Sequence, residues 1–243
     1  MVYYTLGWNI CKCAIFTVRG TMVSNPPKAN GTGLHSFWKI SGKSYRGKEG
    51  NIVKQNEIKR KLIEGTTRVI AREGLDRATT KRIGTETNLN EAYIYRCFNG
   101  KEDLFAGVFD VLDRELYGAV LSQTPVLSCA SMSAIERCRV AFENVWRFLL
   151  HNQDKFLCYV RYYYSPYFAK YSNDAHRELY QPIVERFRPV FTEGANVWML
   201  MNHILNVMIN FAVKVYGKDL NDDQDTQEHV FRLVYVSVQQ YFK

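Results

Sequence analysis

The sequence predicts an all-α fold, and three observations carry that prediction. No segment alternates apolar and polar residues with a period of two for long, so no half-buried strand stands out. Apolar residues recur instead at helical spacing, as in Ile58, Leu62, Ile63, Val69 and Ile70, or in Met201, Leu205, Met208, Ala212 and Val215. Helix signals bracket these stripes, with Thr79, Ser133 and Asn152 placed as starts and Gly74 and Gly217 as stops.

At 243 residues the chain can bury a sizeable core, as one large or two small domains. Its 47% hydrophobic and 14% aromatic content suits a globular protein and excludes wholesale disorder. No apolar run reaches the ~20 residues needed to cross a bilayer, so no membrane partner is expected. The net charge of +8 is unevenly placed. Residues 1–50 hold Lys12, Arg19, Lys28, Lys39, Lys43, Arg46 and Lys48 against Glu49 alone, leaving only +2 for the remainder. Lys54 to Lys101 is nevertheless locally rich in Lys and Arg, and a small patch suffices to hold phosphates. The six cysteines show no disulfide framework. Cys97, Cys129, Cys138 and Cys158 sit in helical patterns as small hydrophobes, and Cys11 and Cys13 are too close together for a usual zinc pair. No metal or cofactor is expected, and a reducing cytoplasm fits best.

Residues 1–50 read as a basic, flexible extension. Cys13 to Val18 is too brief for a signal-peptide core, Ser24 to Gly33 is rich in Pro, Gly and Asn, and Ser41 to Gly50 is basic and Gly-rich. Such an arm can touch a minor groove or phosphates; the alternative is an overlong gene model, with Met22 or a later codon as the true start. A first domain spans 51–105, its first helix running from Gln55 to Glu73 with Gly74 as its stop. A connecting helix over about 101–121 begins at Gly100, an allowed N-cap, with Glu102 and Asp103 favourable in its first turn. Pro125, among Ser and Thr, marks a joint, and 122–243 forms a second helical domain. There Ser133 and Glu136 make a capping box for a helix to His151, carrying Ile135, Phe142, Val145, Trp146 and Leu149. Asn152 is placed to cap the next, Gln153 to Tyr164, which Pro166 stops. Asn173 to Phe191 is helical with Pro182 breaking or kinking it. Gly194 to Tyr216 is a long apolar helix. After the acidic loop Asn221 to Asp225, Asp225 with Glu228 resembles a capping box for a last helix to Tyr241.

Two short helical patterns lie back to back between Gly74 and Phe105. Thr79 caps the first, Ile83 anchors it, and Gly84 leaves room for a second helix to cross. Asn88 suits the left-handed residue of the turn, Leu89 plugs it, and Asn90 caps a second helix from Glu91 to Phe98. This is the layout of a helix-turn-helix, whose second helix enters the DNA major groove.

The run Tyr93-Ile94-Tyr95-Arg96-Cys97-Phe98-Asn99-Gly100-Lys101-Glu102-Asp103-Leu104-Phe105 closely resembles the end of the DNA-binding domain of the tetracycline-repressor (TetR) family. The match reaches back without a gap to Gly74 and Thr79, and more loosely to Ile58. Gly84 stands for the family's usual Ala, Asn88 for its Gly, and Cys97 for its second aromatic. Glu91, Ala92 and Tyr93 occupy the first turn of the recognition helix, where Glu can accept from a cytosine amino group and Ala or Tyr can touch a thymine methyl. Tyr95 and Lys101 match positions that hold phosphates in resembling proteins. Thr79, Thr80 and Lys81, with Asn90, are expected beside them, and Arg96 is expected either on a phosphate or paired with an acid on the first helix. Plain core packing for Tyr95 and a solvated helix start for Lys101 are the alternatives.

The second domain carries no comparable motif. Buried Tyr and Trp need partners for their polar tips, and a partly polar aromatic cavity supplies them; the resemblance implies a pocket there for a small inducer. The candidate lining is Trp146, Tyr162, Tyr163, Trp198, Asn202, His203 and Asn206. Asn202, Asn206 and Asn210 recur every four residues, a polar line that faces solvent, fixes a dimer seam or lines the pocket. The resemblance also implies that the last two helices pair with those of a second copy, with Leu205, Met208, Val230, Val234 and Val238 expected at the seam. No nucleophile elbow, phosphate loop or metalloprotease signature occurs, so no catalytic residue is expected.

These features point to an all-α DNA-binding regulator, a homodimeric repressor of a palindromic double-stranded DNA operator, released by a small effector whose identity the sequence does not give. A redox-responsive regulator acting through Cys97 is one alternative. A ligand-binding or protein-interaction module that no longer reads DNA is the other.

Overall fold

The computed structural model describes residues 45–243, with side chains from residue 54 onward. The expectations for residues 1–44 lie outside the described residues. The helices are α1 (Tyr45–Glu73), α2 (Thr80–Thr87), α3 (Ala92–Cys97), α4 (Lys101–Leu121), α5 (Thr124–Leu127), α6 (Ala134–His151), α7 (Gln153–Tyr163), α8 (Pro166–Tyr171), α9 (Asn173–Phe187), α10 (Val197–Tyr216) and α11 (Gln224–Val238). Among the described residues there is no strand, only an isolated antiparallel bridge between Phe191 and Phe242. The all-α fold is as expected.

α1 begins at Tyr45, earlier than the predicted Gln55, and takes in part of the stretch expected to be a flexible arm. Glycine in a helix interior costs only ~1 kcal/mol relative to Ala, so Gly47 and Gly50 do not end it. Gly74 does, in the left-handed region at φ 89°. Leu62, Val69 and Ile70 of α1, Ile83 of α2, Ile94 of α3 and Leu104 and Phe105 of α4 are fully buried and belong to one core cluster that runs on through the later helices.

α4 carries that core onward. Its Val108, Phe109, Leu112 and Leu116 are buried, and it packs against α6, α7 and α9. Asp103 reaches back to accept from the backbone N–H of Asn99 at 2.8 Å, satisfying a donor at its start. α10 lies against α6, α7, α9 and α11 and closes the bundle. The Ser133–Glu136 capping box forms as predicted.

Several boundaries differ from expectation, each for a local reason. Pro125 and Pro166 open the short helices α5 and α8 rather than only ending what precedes, because proline is well placed in a helix's first turn. α9 runs through Pro182 to Phe187 and tightens into a 3-10 turn, Arg188–Val190. Asn152 does not cap α7; its amide donates back to the Phe148 carbonyl at 2.8 Å. Asp223, not Asp225, caps α11, accepting from Thr226 N–H at 2.8 Å. Glu228 is drawn away from any capping box by Arg139 on α6 and Arg232. Ile135 is exposed, and Leu89 is half-buried rather than a fully buried plug.

Candidate functional site

The turn between α2 and α3 is built by short-range chemistry. Thr79 Oγ1 accepts from Arg82 N–H at 3.2 Å and starts α2. Asn88 adopts φ 53°, ψ 39° at its end, the left-handed turn residue expected of it. Leu89 N–H donates to Gly84 O at 3.0 Å, so the chain doubles back over Gly84. A Cβ on Gly84 would lie 2.9 Å from the Leu89 carbonyl oxygen, which explains why this position has none. Asn90 Oδ1 then accepts from Ala92 N–H at 2.8 Å and sets the entry to α3.

α3 has one inward and one outward face. Ile94 is buried, as is Phe98 just beyond the helix, whereas Glu91, Ala92, Tyr95 and Arg96 are exposed. Tyr95 is 64% exposed and is therefore not a core residue. The Glu91 carboxylate is held by Thr80, whose hydroxyl donates at 2.9 Å. Tyr93 is half-buried with the Arg96 guanidinium 5.3 Å from its ring centre, so Arg96 stacks on its own helix rather than reaching α1. The Lys101 ammonium lies 5.5 Å from the Phe105 ring centre, at the start of α4. Lys81, Gly84, Thr85, Asn88, Leu89, Asn90 and Glu91 line a wide, shallow groove along the turn.

The basic residues near this face divide into two groups. Glu86 pairs with Arg68 at 2.9 Å and Arg72 at 2.8 Å, and Glu73 pairs with Arg82 at 2.6 Å and Arg72 at 3.1 Å. This network ties α1 to α2. The Arg82 guanidinium holds the Glu73 carboxyl down at about 2, and hydrogen bonding from Arg68, then Arg72, lowers that of Glu86. Counting cations along the sequence missed that these three arginines serve structure. Lys81, Arg96 and Lys101 lie in or near α3, and the Lys59 ammonium of α1 lies 5.2 Å from the Phe98 ring centre at its end. Sequence reasoning also missed Gly65 on α1, where a Cβ would lie 2.2 Å from Thr87 Cγ2.

Pockets of two kinds, each partly open to the surface, lie among the helices after α4 begins. The smaller, about 20 Å³, brings together Tyr163, Trp198, Asn202 and Asn206 of the expected lining. Tyr159, His176 and Tyr180, outside the expected lining, also line it, with Leu116, Met201, Leu205 and Ile209. Behind it, buried Asp113 of α4 accepts from His176 Nδ1 at 2.8 Å and from Tyr159 OH at 3.3 Å. Burial pushes the Tyr159 and Tyr180 phenols well above their usual range. The other three expected residues line neither cavity. Trp146 is buried against Phe142 at 5.8 Å, Tyr162 bonds Ser172 at 3.0 Å, and His203 bonds Ser237 at 2.8 Å. Of the asparagine line, Asn202 bonds the Trp198 carbonyl at 2.9 Å, and Asn206 and Asn210 are exposed. The larger cavity, about 100 Å³, is apolar and lies between the ends of α4, α6, α9, α10 and α11.

The expected seam residues need correction. Met208, Val230, Val234 and Val238 are buried inside the chain's own core, and Leu205 is half-buried between the two cavities. α10 and α11 pack on α6 and on each other within the chain. The apolar residues that α10 and α11 leave exposed are Met199, Leu233 and Val236.

Comparison with known proteins agrees with this geometry. Residues 62–108 match the family model described as bacterial regulatory proteins, tetR family. A TetR family transcription regulator from Marinobacter aquaeolei VT8 is similar in structure, with a TM-score of 0.59 at 14% identity over 76% of this chain and 96% of that one. A TetR-like transcriptional regulator from Rhodococcus sp. RHA1 gives 0.54 at 13% identity, over 75% and 96%. A TetR-family transcriptional regulator from Haemophilus influenzae RD gives 0.53 at 18%, over 78% and 99%. No curated relative matches the chain. Fold and matched domain together define a DNA-binding transcription regulator, a class of proteins that are not enzymes. The amino-terminal domain is a TetR-family DNA-binding domain, and the chain as a whole has the fold of that family's regulators.

Proposed function

We propose that this protein is a homodimeric repressor that holds a palindromic operator through α3 and releases it when a small molecule occupies the second domain. The observation that carries the reading is the two-faced α3, whose Ile94 is locked in the core while Glu91, Ala92 and Tyr95 stand outward. In this assignment Glu91, with Ala92 and Tyr93, meets base edges. Tyr95, Lys101, Thr79, Thr80, Lys81, Asn90 and Arg96 hold phosphates and set the register. Glu91 suits its role because Thr80 fixes the carboxylate before DNA arrives.

α4 is the lever. Leu104 and Phe105 near its start are buried in the core, and Asp113 further along bonds His176 of the aromatic cavity. An effector held in the second domain favours one position of α4 and so shifts the spacing of two reading heads. The second head comes from a copy docked on the outer faces of α10 and α11, around Met199, Leu233 and Val236. Nothing favours the redox alternative at Cys97, which is half-buried and packed against the core.

Selection of bound duplex from a random pool, with sedimentation of the complex, tests this reading. Two half-sites related by two-fold symmetry, bound by two chains, are expected. A single half-site bound by one chain, or no enriched sequence, refutes it.

A further inference from the structure

Glu91 is an exposed acid on the face assigned above to DNA, where a carboxylate pointed at a phosphate is repelled. The neighbouring acids are held by cations. Glu73 and Glu86 pair with Arg68, Arg72 and Arg82, whereas Glu91 has no ion pair among the described residues and takes only the neutral hydroxyl of Thr80, at 2.9 Å. Its main chain is fixed on both sides. Asn90 closes the turn by accepting from Ala92 N–H at 2.8 Å, and the Glu91 carbonyl accepts from the N–H of fully buried Ile94 at 2.9 Å. Gly84 of α2 is buried against the same turn. A Cβ there would lie 3.8 Å from Glu91 Cβ and 2.9 Å from the Leu89 carbonyl oxygen, so any side chain would displace the backbone that carries Glu91.

With the backbone set, the aim of the carboxylate depends on a long, flexible side chain, and one hydrogen bond from α2 holds its tip. Oε2 accepts from Thr80, and Oε1 takes no hydrogen bond within the described residues. A carboxylate only accepts, so it suits a base edge that donates. In the major groove cytosine and adenine present amino groups, whereas guanine and thymine present acceptors. Adenine sets an acceptor nitrogen beside its amino group, which leaves cytosine as the edge that offers donation alone. Threonine has one O–H to donate. Committed to Glu91, that hydroxyl is not available to a phosphate, and Thr80 meets phosphate instead through its backbone N–H at the open start of α2.

We propose that the Thr80 side chain is a positioning residue for base recognition. Its hydroxyl aims Glu91 at the amino group of a cytosine in each half-site, so a residue of α2 that touches no base sets the specificity of α3. The proposal rests on the DNA reading above. Preorganisation is the gain, because a carboxylate that is already aimed loses little freedom on binding.

The test selects duplexes from a random pool with the full chain and with Glu91→Ala, Thr80→Val and Thr80→Ser, then measures affinity for the wild-type site and its single-base variants. Valine keeps the shape of threonine without the hydroxyl, and serine restores it. Glu91→Ala is expected to release the preference at one position of the half-site, a C·G pair in the wild-type site. Thr80→Val should lower discrimination at that position severalfold and leave the other positions and the salt dependence unchanged. Thr80→Ser should restore it. If Thr80→Val fails to fold by circular dichroism, Thr80→Ala is read in the same way. Uniform weakening on all sequences with the C·G preference intact overturns the positioning role and makes the hydroxyl a phosphate contact. Full discrimination and full affinity without the hydroxyl overturn it as well. An A·T pair at the released position overturns the choice of cytosine. An unchanged site in Glu91→Ala, or no enriched duplex from the wild type, refutes the underlying DNA reading and the proposal with it.

Discussion

The Arg161 guanidinium of α7 donates a 2.6 Å hydrogen bond to the Ile70 carbonyl near the end of α1. This bond joins α7 to α1 at a point away from α4. The carbonyl also accepts from Gly74 N–H at 2.9 Å, so losing Arg161 does not orphan it. Arg161→Ala is expected to cost about 1 kcal/mol, the ordinary net value of one hydrogen bond. Hydrogen exchange should show the loss concentrated at the end of α1, with ligand response weakened. Uniform protection in the variant would show that this contact does not couple the domains.

α1 and α2 approach closely enough at Gly65 that any side chain must push them apart. Gly65→Ala places a methyl 2.2 Å from Thr87 Cγ2, and Thr87 is itself held by its hydroxyl bond to the Ile83 carbonyl. Overpacking of this kind costs ~1–3 kcal/mol, more than the helix propensity gained. Urea unfolding should show a lower midpoint; an unchanged or raised midpoint would mean the two helices can separate freely.

The arginine network makes the reading head acid-sensitive. Glu73, held at about 2 from an ordinary 4.5 chiefly by Arg82, has a depressed folded-state value, so its contribution is present above 4.5. It is lost as pH falls toward 2. Glu228, also held at about 2 by Arg139 and Arg232, titrates in the same window, so the informative comparison is between wild type and Arg82→Ala. The variant should show a lower Tm at pH 7 and a shallower fall below pH 4.5. Parallel curves would remove Glu73 from the explanation.

The outer face of the last two helices separates assembly from folding. Leu233→Glu and Val236→Glu place charges at positions 55% and 63% exposed and should give folded monomers. Val234→Glu buries a charge at a position only 6% exposed and should give unfolded or insoluble protein instead. Sedimentation with circular dichroism distinguishes the two. An unchanged dimer in Leu233→Glu and Val236→Glu would place the interface elsewhere.

What was legible in the sequence was local. Thr79, Asn88 and the Ser133–Glu136 box are fixed by neighbours within four residues, and all three form as expected. What was not legible depends on distant partners. Asp225 and Glu228 fit a capping box by spacing, but Arg139, 89 residues away, takes the glutamate. The stripe of Met208, Val230, Val234 and Val238 shows that those residues are buried without showing against what. Aromatic content likewise flagged Trp146 and Tyr162, which pack solidly, and passed over His176, whose partner Asp113 lies 63 residues earlier. The two faces of α3 were not legible either: core packing stayed open for Tyr95, and only the fold shows it exposed beside buried Ile94.

The central claim is that the exposed face of α3 reads bases while its flanks hold phosphates. Its most direct test is the set of duplexes selected by Glu91→Ala beside those selected by Lys101→Ala, with affinities measured across salt concentrations. Glu91→Ala should change the preferred base at one or two positions, at ~1–3 kcal/mol for the lost contact. Lys101→Ala should keep the wild-type site, bind all sequences more weakly and flatten the salt slope by ~1. An unchanged site in Glu91→Ala, or a changed site in Lys101→Ala, would contradict the assignment.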